Sequence, residues 1–378
     1  MRLLFWFAAG LILYAYIGYP IWLWVRSRLR PKPVRRGSVS DSISVVMVVR
    51  DGASVLARKL QNLLELRYPT DNWNIVVVSD GSTDATNEIL ASYERLPRVR
   101  SILNSVSGGK AAGLNEALRH CDSDLIFFTD VRQIIEPNAF ALLAENFADP
   151  SVGCVSGELM LGDMNSGESG KGIGLYWRIE KRIRELESDS GSVAGATGAI
   201  YAVRRKCIPN LPIETLLDDV FIPMAVVERG YRVVFDPRAR AWDVADQGVE
   251  REFGRKVRTL SGNYQLIQLM PSVLSGRNPI RFEFVSHKLL RLCVPFALFA
   301  LLLSSLFLTS PFYRVATLLQ LAFYGLALLS LLRLKVGPLS RAADAVLAFV
   351  LLNTAALVAF VHFIFRRKVA WGHIAAQG

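Results

Sequence analysis

The sequence predicts an α/β protein: a Rossmann-like, mostly parallel sheet in a central domain, with flanking transmembrane helices. Three observations carry this. Short β-branched runs alternate with helical apolar spacing from Ser42 to Thr129, as in a parallel sheet covered by helices on both faces. Four long uncharged apolar stretches lie near the two ends of the 378-residue chain. Clusters of arginine and lysine stand beside them.

Leu3 to Val25 carries no charge and exceeds the roughly 7–15 residues of a signal-peptide core, so it predicts a retained membrane anchor. Arg26, Arg28, Arg30, Lys32, Arg35 and Arg36 follow, and the positive-inside rule then places the next domain in the cytoplasm. Strands are expected over Ser42–Arg50, Asn74–Ser79, Arg100–Leu103 and Leu125–Thr129, with helices over Ala53–Leu66, Thr83–Leu96 and Ala111–His120. Past Asp130 the pattern loosens. Gly162–Gly174 is a small-residue loop, Tyr176–Glu187 a charged helix, Gly191–Gly198 a second loop, Ala199–Val203 a strand, and Val220–Val227 an apolar helix. Phe253 to Phe284 mixes Arg, Tyr, Leu and Pro and fits interfacial helices on the membrane surface. Further spans are expected over Leu292–Tyr313, Val315–Leu332 and Ala345–Phe365.

The expected organisation is an anchor over residues 1–26, a basic linker over 27–41, a cytoplasmic domain over 42–252, an interfacial segment over 253–288, about three spans over 289–368 and a tail over 369–378. Lys288 and Arg291 fix the start of the second span inside, so three further crossings put Arg366, Arg367 and Lys368 outside, against the rule. Val315–Leu332, the shortest stretch, is the first candidate not to cross.

Much of the net charge of +11 flanks the apolar stretches, where it orients the chain and contacts anionic lipid, so membrane lipid is an expected partner and nucleic acid is not. Cys121, Cys154, Cys207 and Cys293 form no C-x-x-C pair, which argues against a zinc site or a disulfide framework.

In open parallel sheets ligands bind beyond the carboxyl ends of the strands, and the polar residues gather there: Arg50-Asp51, Asp80-Gly-Ser-Thr-Asp84 and Asp130. Asp80 can accept from a base or ribose and the helix behind it offers donors to an anion, although Asp-Gly is also an ordinary turn. Gly108-Gly109-Lys110 opens a helix without being a Walker A loop, since Asn104 and Ala111 stand where glycine and Ser/Thr belong. Lys110 is either close to a nucleotide or solvated at a turn. Asp130 is a candidate metal ligand or a turn cap. Asp218-Asp219 suits a general base, because paired carboxylates raise each other's pKa, and equally suits a helix start. Arg255 and Arg258 share one helical face and can hold a diphosphate or face lipid.

These pieces occur in one order, and in that order the chain resembles the membrane-bound members of glycosyltransferase family 2, the group of cellulose and hyaluronan synthases. The likeness covers roughly Ser42 to Lys288 and the flanking spans. It rests on Asp80-Gly-Ser-Thr-Asp84, Gly109-Lys110 with Leu114-Asn115, Phe128-Thr-Asp130, Val155-Ser-Gly157, Gly195-Ala-Thr-Gly198, Asp218-Asp219, Gly230-Tyr-Arg232 and Arg255-Lys-Val-Arg258.

The resemblance implies a GT-A fold, a nucleoside diphosphate sugar donor (first of all a UDP-sugar), Mg2+ or Mn2+, and a glycan or lipid-linked acceptor at the cytoplasmic face of a cell inner membrane. It implies that Asp51, Asp80 and Lys110 line the donor pocket, that Asp130 is the first aspartate of the D-x-D metal motif, and that Asp219 is the general base of a T-E-D motif with Asp218 beside it. Arg255 and Arg258 fall on its Q-x-x-R-W motif. Arg132 stands where D-x-D has its second acid and would instead partly neutralise the diphosphate. Thr259 replaces the tryptophan of Q-x-x-R-W, which argues against processive synthesis. The implied reaction is one in-line, inverting displacement, with Asp219 taking the acceptor's proton. Two other readings remain: a membrane scaffold with a degenerate donor site, and a basic surface for an anionic polymer.

Overall fold

A computed structural model describes residues 1–162, 175–244, 249–332, 334 and 339–365. The predicted loop over Gly162–Gly174 lies, beyond its first residue, outside the described residues, as do Arg366–Lys368 and the tail.

One long helix opens the chain, α1 (Arg2–Leu13) and α2 (Tyr19–Leu29) joined by a π-helical turn at Tyr14–Gly18. The central domain follows as β1 (Ile43–Val49), α3 (Ala53–Leu64), β2 (Trp73–Asp80), α4 (Thr86–Tyr93), β3 (Val99–Asn104), α5 (Lys110–Arg119), β4 (Leu125–Phe128), β5 (Ile134–Ile135), α6 (Ala139–Ala144), β6 (Val152–Leu161), α7 (Leu175–Ser190), β7 (Tyr201–Arg204), α8 (Asp218–Glu228) and β8 (Arg232–Asp243). The strands form one sheet in the order β3-β2-β1-β4-β7-β6-β8-β5. β1 pairs in parallel with β2 and β4, β2 with β3, and β6 with β8, while β7 runs antiparallel to β4 and β6, and β5 antiparallel to β8.

β1 is buried along its whole length because it is covered on both faces and hydrogen-bonded on both edges. Its alternation divides the core. Val46 and Val48, with Val76 and Val78, pack towards Leu114 of α5 and Ile222 of α8. Val45, Met47 and Val49 pack towards Leu56 and Leu60 of α3 and Phe140 of α6.

β7 falls on the strand expected over Ala199–Val203, whereas β6 and β8 went unread in the sequence for local reasons. β6 carries Gly153 and Gly157, which read as breakers. A Cβ on Gly157 would lie 2.5 Å from the carbonyl oxygen of Ala239, so the glycine is there to admit a neighbouring backbone. β8 contains Pro237 inside a register shift that pairs Ser156 with Phe235 but Glu158 with Arg240. The irregularity leaves the proline outside the ladder.

Beyond the domain come α9 (Val249–Leu269), α10 (Arg281–Phe284), a π-helical stretch Val285–Leu289, α11 (Leu290–Leu306), α12 (Pro311–Leu331) and α13 (Ser340–Ile364). Among the described residues four helical stretches are long and apolar enough to cross a membrane: Arg2–Leu29, Arg281–Leu306, Pro311–Leu331 and Ser340–Ile364. They expose large apolar side chains such as Leu3, Phe7, Phe299, Leu319 and Ile364 outward, as a lipid-facing surface does. The predicted span Leu292–Tyr313 is corrected. The helix stops at Leu306, and Pro311 starts the next one from its first turn, where a missing N–H costs nothing. The next span therefore gains Pro311–Arg314 and reaches 21 residues, no longer short for a crossing.

The membrane helices are joined to the domain through buried charge. Glu187 of α7 accepts from the Tyr19 hydroxyl of α2 (2.6 Å) and sits 2.8 Å from Nδ1 of His287. His287 also meets Glu180, which pairs with Arg291 at 2.6 Å. Arg26 is ion-paired with Glu283. On the other side α9 packs on α13, with the Tyr264 ring 5.2 Å from that of Phe363.

Candidate active site

The strand order reverses between β1 and β4, so the chain ends leaving these strands, Asp51 and Asp130, flank the crevice where such sheets bind ligands. Two loops line it and are clasped together. Asp80 is fully buried, and its carboxylate accepts from the backbone N–H of Gly108 (2.8 Å) and Gly109 (3.0 Å) and from the Ser107 hydroxyl (2.7 Å). Gly81 has φ 64°, and a Cβ there would lie 2.5 Å from the Ser107 nitrogen, so this turn admits only glycine. Asp51 has φ 48°, rare for a residue with a side chain, and its carboxylate accepts from Thr83 N–H at 2.7 Å. Asp84 accepts from Ala53 N–H and Thr86 N–H, so it caps both α3 and α4. That is why α4 starts at Thr86 rather than at Thr83. Asp51 and Asp80 are thus tied into the walls of the crevice.

At its centre Lys110, the first residue of α5, places Nζ 2.8 Å from Asp130 and 2.9 Å from Asp218. Burial opposes the lysine's charge, but Asp130 and Asp218, with Asp219 behind them, outweigh it and hold the ammonium protonated above its ordinary range. Asp218 also accepts from the Tyr201 hydroxyl at 2.9 Å. Asp219 Oδ2 accepts from Gly198 N–H at 3.0 Å. Burial, then Asp218, push the Asp219 carboxyl up to about 6, against the opposing pull of Lys110. Gly198 lies between the carboxylates: a Cβ there would meet Asp130 Oδ2 at 3.2 Å and Asp219 Oδ2 at 3.4 Å. The loop 195–198 is seated on the start of α8 by Ala196 N–H, which donates to the Asp219 carbonyl at 2.7 Å.

The structure therefore brings Lys110, Asp130, Asp218 and Asp219 together. Arg132 is turned elsewhere, ion-paired with Asp243 at the end of β8. Arg255 and Arg258 lie on α9, and Arg255 pairs with Glu252 at 2.5 Å. Their helix reaches the site through Gly262, one turn beyond Arg258, whose position is packed directly on Leu217, the residue before Asp218. Arg258 Nε is buried with no hydrogen-bond partner among the described residues.

Sequence reasoning passed over three residues. Lys59 is fully buried under the Asp130 loop, donating to Thr129 Oγ1 (2.8 Å) and the Gln133 carbonyl (2.7 Å), and burial lowers it to about 7. At i+3 from Leu56 it lies on the apolar face of α3 with Leu60 and Leu63, and that spacing was the signal available for it. Tyr201 reads as one more apolar strand residue. Arg184, which donates to Ser156 Oγ at 2.7 Å, was one charge among many in a charged helix.

Among the described residues no three His, Cys, Asp or Glu side chains gather as a metal site. Asp130 alone is placed for one. Its side chain is 41% exposed, with one oxygen on Lys110 and the other beside Gly198. A hard cation held by one carboxylate and by the oxygens of a bound diphosphate fits this donor set.

A Rossmann-like mixed sheet with a crevice at its switch point carrying a lysine and three carboxylates, joined to helices long and apolar enough to cross a bilayer, defines a GT-A-type domain with flanking membrane-span candidates. Comparison with known proteins adds to this: residues 44–211 match the model for glycosyl transferase family 2. The poly-beta-1,6-N-acetyl-D-glucosamine synthase of Staphylococcus aureus is 22% identical over 254 residues, covering 64% of this chain and 60% of the synthase. The synthase of the same name from Staphylococcus epidermidis is 20% identical over 231 residues, covering 60% and 56%. The chain thus spans less than two thirds of the length of these relatives. Among solved structures, the mannosyltransferase PcManGT from Pyrobaculum calidifontis in complex with GDP-Man and Mn2+ superposes with a TM-score of 0.74 at 21% identity, over 97% of this chain and all of that one, a likeness of fold.

Proposed function

We propose that the protein is an inverting glycosyltransferase that moves a sugar from a nucleoside diphosphate sugar to a glycan or lipid-linked acceptor at the cytoplasmic face of the inner membrane. A UDP-sugar is the first donor to test. The observation that carries this reading is the placement of Asp219, a half-buried carboxyl held by Gly198 N–H at 3.0 Å beside Asp218, Lys110 and Asp130, and raised to about 6 by its partial burial and by Asp218. A base with that value is roughly nine-tenths ionised at pH 7 and still holds a proton far better than an ordinary aspartate.

The crevice walls formed by residues 80–84 and 107–110 receive the nucleotide, and Asp80 and Asp51 hold those walls in shape. Lys110 carries a fixed positive charge to the diphosphate side. Arg258, with its unmatched buried Nε, and Arg255 approach from α9 and stabilise charge as the diphosphate departs. Asp130 would hold Mg2+ or Mn2+, which supplies further charge neutralisation at the diphosphate when bound. Asp219 takes the proton from the acceptor hydroxyl, whose oxygen displaces the diphosphate from the anomeric carbon. Gly198 N–H keeps one Asp219 oxygen in place while the other receives that proton. One displacement inverts the anomeric centre.

The test is release of nucleoside diphosphate from UDP-, GDP- and dTDP-sugars by the detergent-solubilised protein, with and without Mn2+, alongside Asp219→Asn. Metal-dependent turnover of one donor, lost in Asp219→Asn while donor binding survives, is the expected result. Turnover retained in that variant removes Asp219 as the base. Failure to bind any donor moves the reading to a scaffold with a degenerate site.

A further inference from the structure

We propose that the cavity between the end of β6 and α7 seats the terminal pyranose ring of the acceptor, with Trp177 as its stacking platform and Glu158 as the acceptor of a ring hydroxyl. This rests on the transferase reading and adds to it the site and chemical class of the acceptor. The cavity is about 260 Å3, at the low end of ligand cavities and sized for one sugar ring rather than a chain. Its lining joins an aromatic and apolar wall (Trp177, Phe235, Met160) to charged groups (Glu158, Lys181, Arg184), the pairing that a ring with one C–H face and a rim of hydroxyls requires.

Three observations locate and equip it. Thr197 lines the cavity, and the next residue, Gly198, donates to Asp219 Oδ2, so one loop borders both the cavity and the base. Glu158 is 8% exposed, with Oε1 2.7 Å from Lys181 Nζ, while Oε2 is buried with Arg240 Nε 3.9 Å away and, among the described residues, no hydrogen-bond partner. A buried carboxylate oxygen without a donor is costly, and a ligand hydroxyl satisfies it. Lys256 lies over the Trp177 ring at 5.2 Å and fixes its tilt from α9. The platform is thereby linked to the helix that carries Arg255 and Arg258.

The experiment uses the full chain in lipid nanodiscs. Methyl β-N-acetylglucosaminide and methyl α-mannoside serve as probes, followed by saturation-transfer NMR and, with a donor present, by transfer kinetics. At least one probe should bind the wild-type protein through its ring protons. Trp177→Ala should abolish that signal and raise the KM for the probe at least tenfold, with kcat at saturating probe falling much less. Trp177→Phe should restore KM to within about threefold, since a smaller ring still stacks. Glu158→Gln should weaken binding severalfold. Probe binding unchanged in Trp177→Ala and Glu158→Gln, or no probe binding to the wild-type protein, overturns the assignment. Binding of UDP, GDP and dTDP is read separately. Failure of the wild-type protein to bind any of them would count against the transferase reading, whereas unchanged sugar binding in the variants counts only against this cavity.

Discussion

Replacing Lys110 with methionine removes the cation that bridges Asp130 and Asp218 at 2.8 and 2.9 Å, and the consequence falls on Asp219. Lys110 opposes the burial and like charge that lift Asp219 to about 6. A cation favours the ionised carboxylate, so its loss makes Asp219 hold its proton to higher pH. Taking a separation of roughly 5–6 Å, one step beyond the direct contacts to Asp130 and Asp218, and an effective dielectric near 20, the lost attraction is about 3 kcal/mol, or about 2 pH units; partial exposure of the cluster reduces this to about 1–2. The assay is kcat/KM for the donor against pH, which reports ionisations of the free enzyme. The wild-type acid limb should fall near pH 6, and that of Lys110→Met between about 7 and 8, whatever happens to the plateau. Lys110→Arg keeps the charge and should keep the limb near that of the wild type. A limb in Lys110→Met that coincides with the wild type would refute both the electrostatic link and the assignment of Asp219 as the titrating base.

Other outcomes follow from the same geometry. Gly198→Ala puts a methyl 3.2 Å from Asp130 Oδ2 and 3.4 Å from Asp219 Oδ2, so kcat should fall about 10–100-fold while the melting temperature barely moves; steady-state kinetics beside thermal unfolding checks both. Gly262→Ala would place a Cβ 2.3 Å from Leu217 Cγ, an overpacking worth about 1–3 kcal/mol, and adding Leu217→Ala should recover much of the lost thermal stability. Lys59 is lowered to about 7 in the folded protein, whereas the unfolded chain holds the proton up to about 10.5. Between these values the unfolded state binds more protons, so folding stability rises with pH by up to about 1 kcal/mol per unit. Thermal unfolding from pH 7 to 9 should show that rise in the wild-type protein and not in Lys59→Met.

The strands and helices up to Asp130 were legible because each is a local pattern: continuous β-branched runs on β1 and β2, period 3.6 on α3 and α5. β6 and β8 were not, because they depend on a long-range register shift that places Gly157 against Ala239 and shelters Pro237. The same division runs through the site. Asp130, Asp219 and Lys110 stand at ends of elements that the pattern placed, so their convergence could be expected. That Asp80 spends its oxygens on residues 107–109, or that Arg132 faces Asp243, depends on loop geometry that spacing does not encode. Trp177 and Glu158 are separated in sequence and meet only because α7 lies across the end of β6.

The buried junction of Tyr19, Glu187, His287, Glu180 and Arg291 bears on how the protein can be divided. Expressing residues 42–252 alone would remove Tyr19, His287 and Arg291 while leaving both glutamates on α7, their counter-charges gone and the helix without the face it packs on. Because α7 carries Trp177, Lys181 and Arg184, damage at the cut surface would travel along one rigid rod to the cavity that these residues line. The soluble half and the bilayer half are therefore a single mechanical unit. An excised domain that folds yet handles its second substrate poorly would be showing the loss of its mounting rather than of its chemistry.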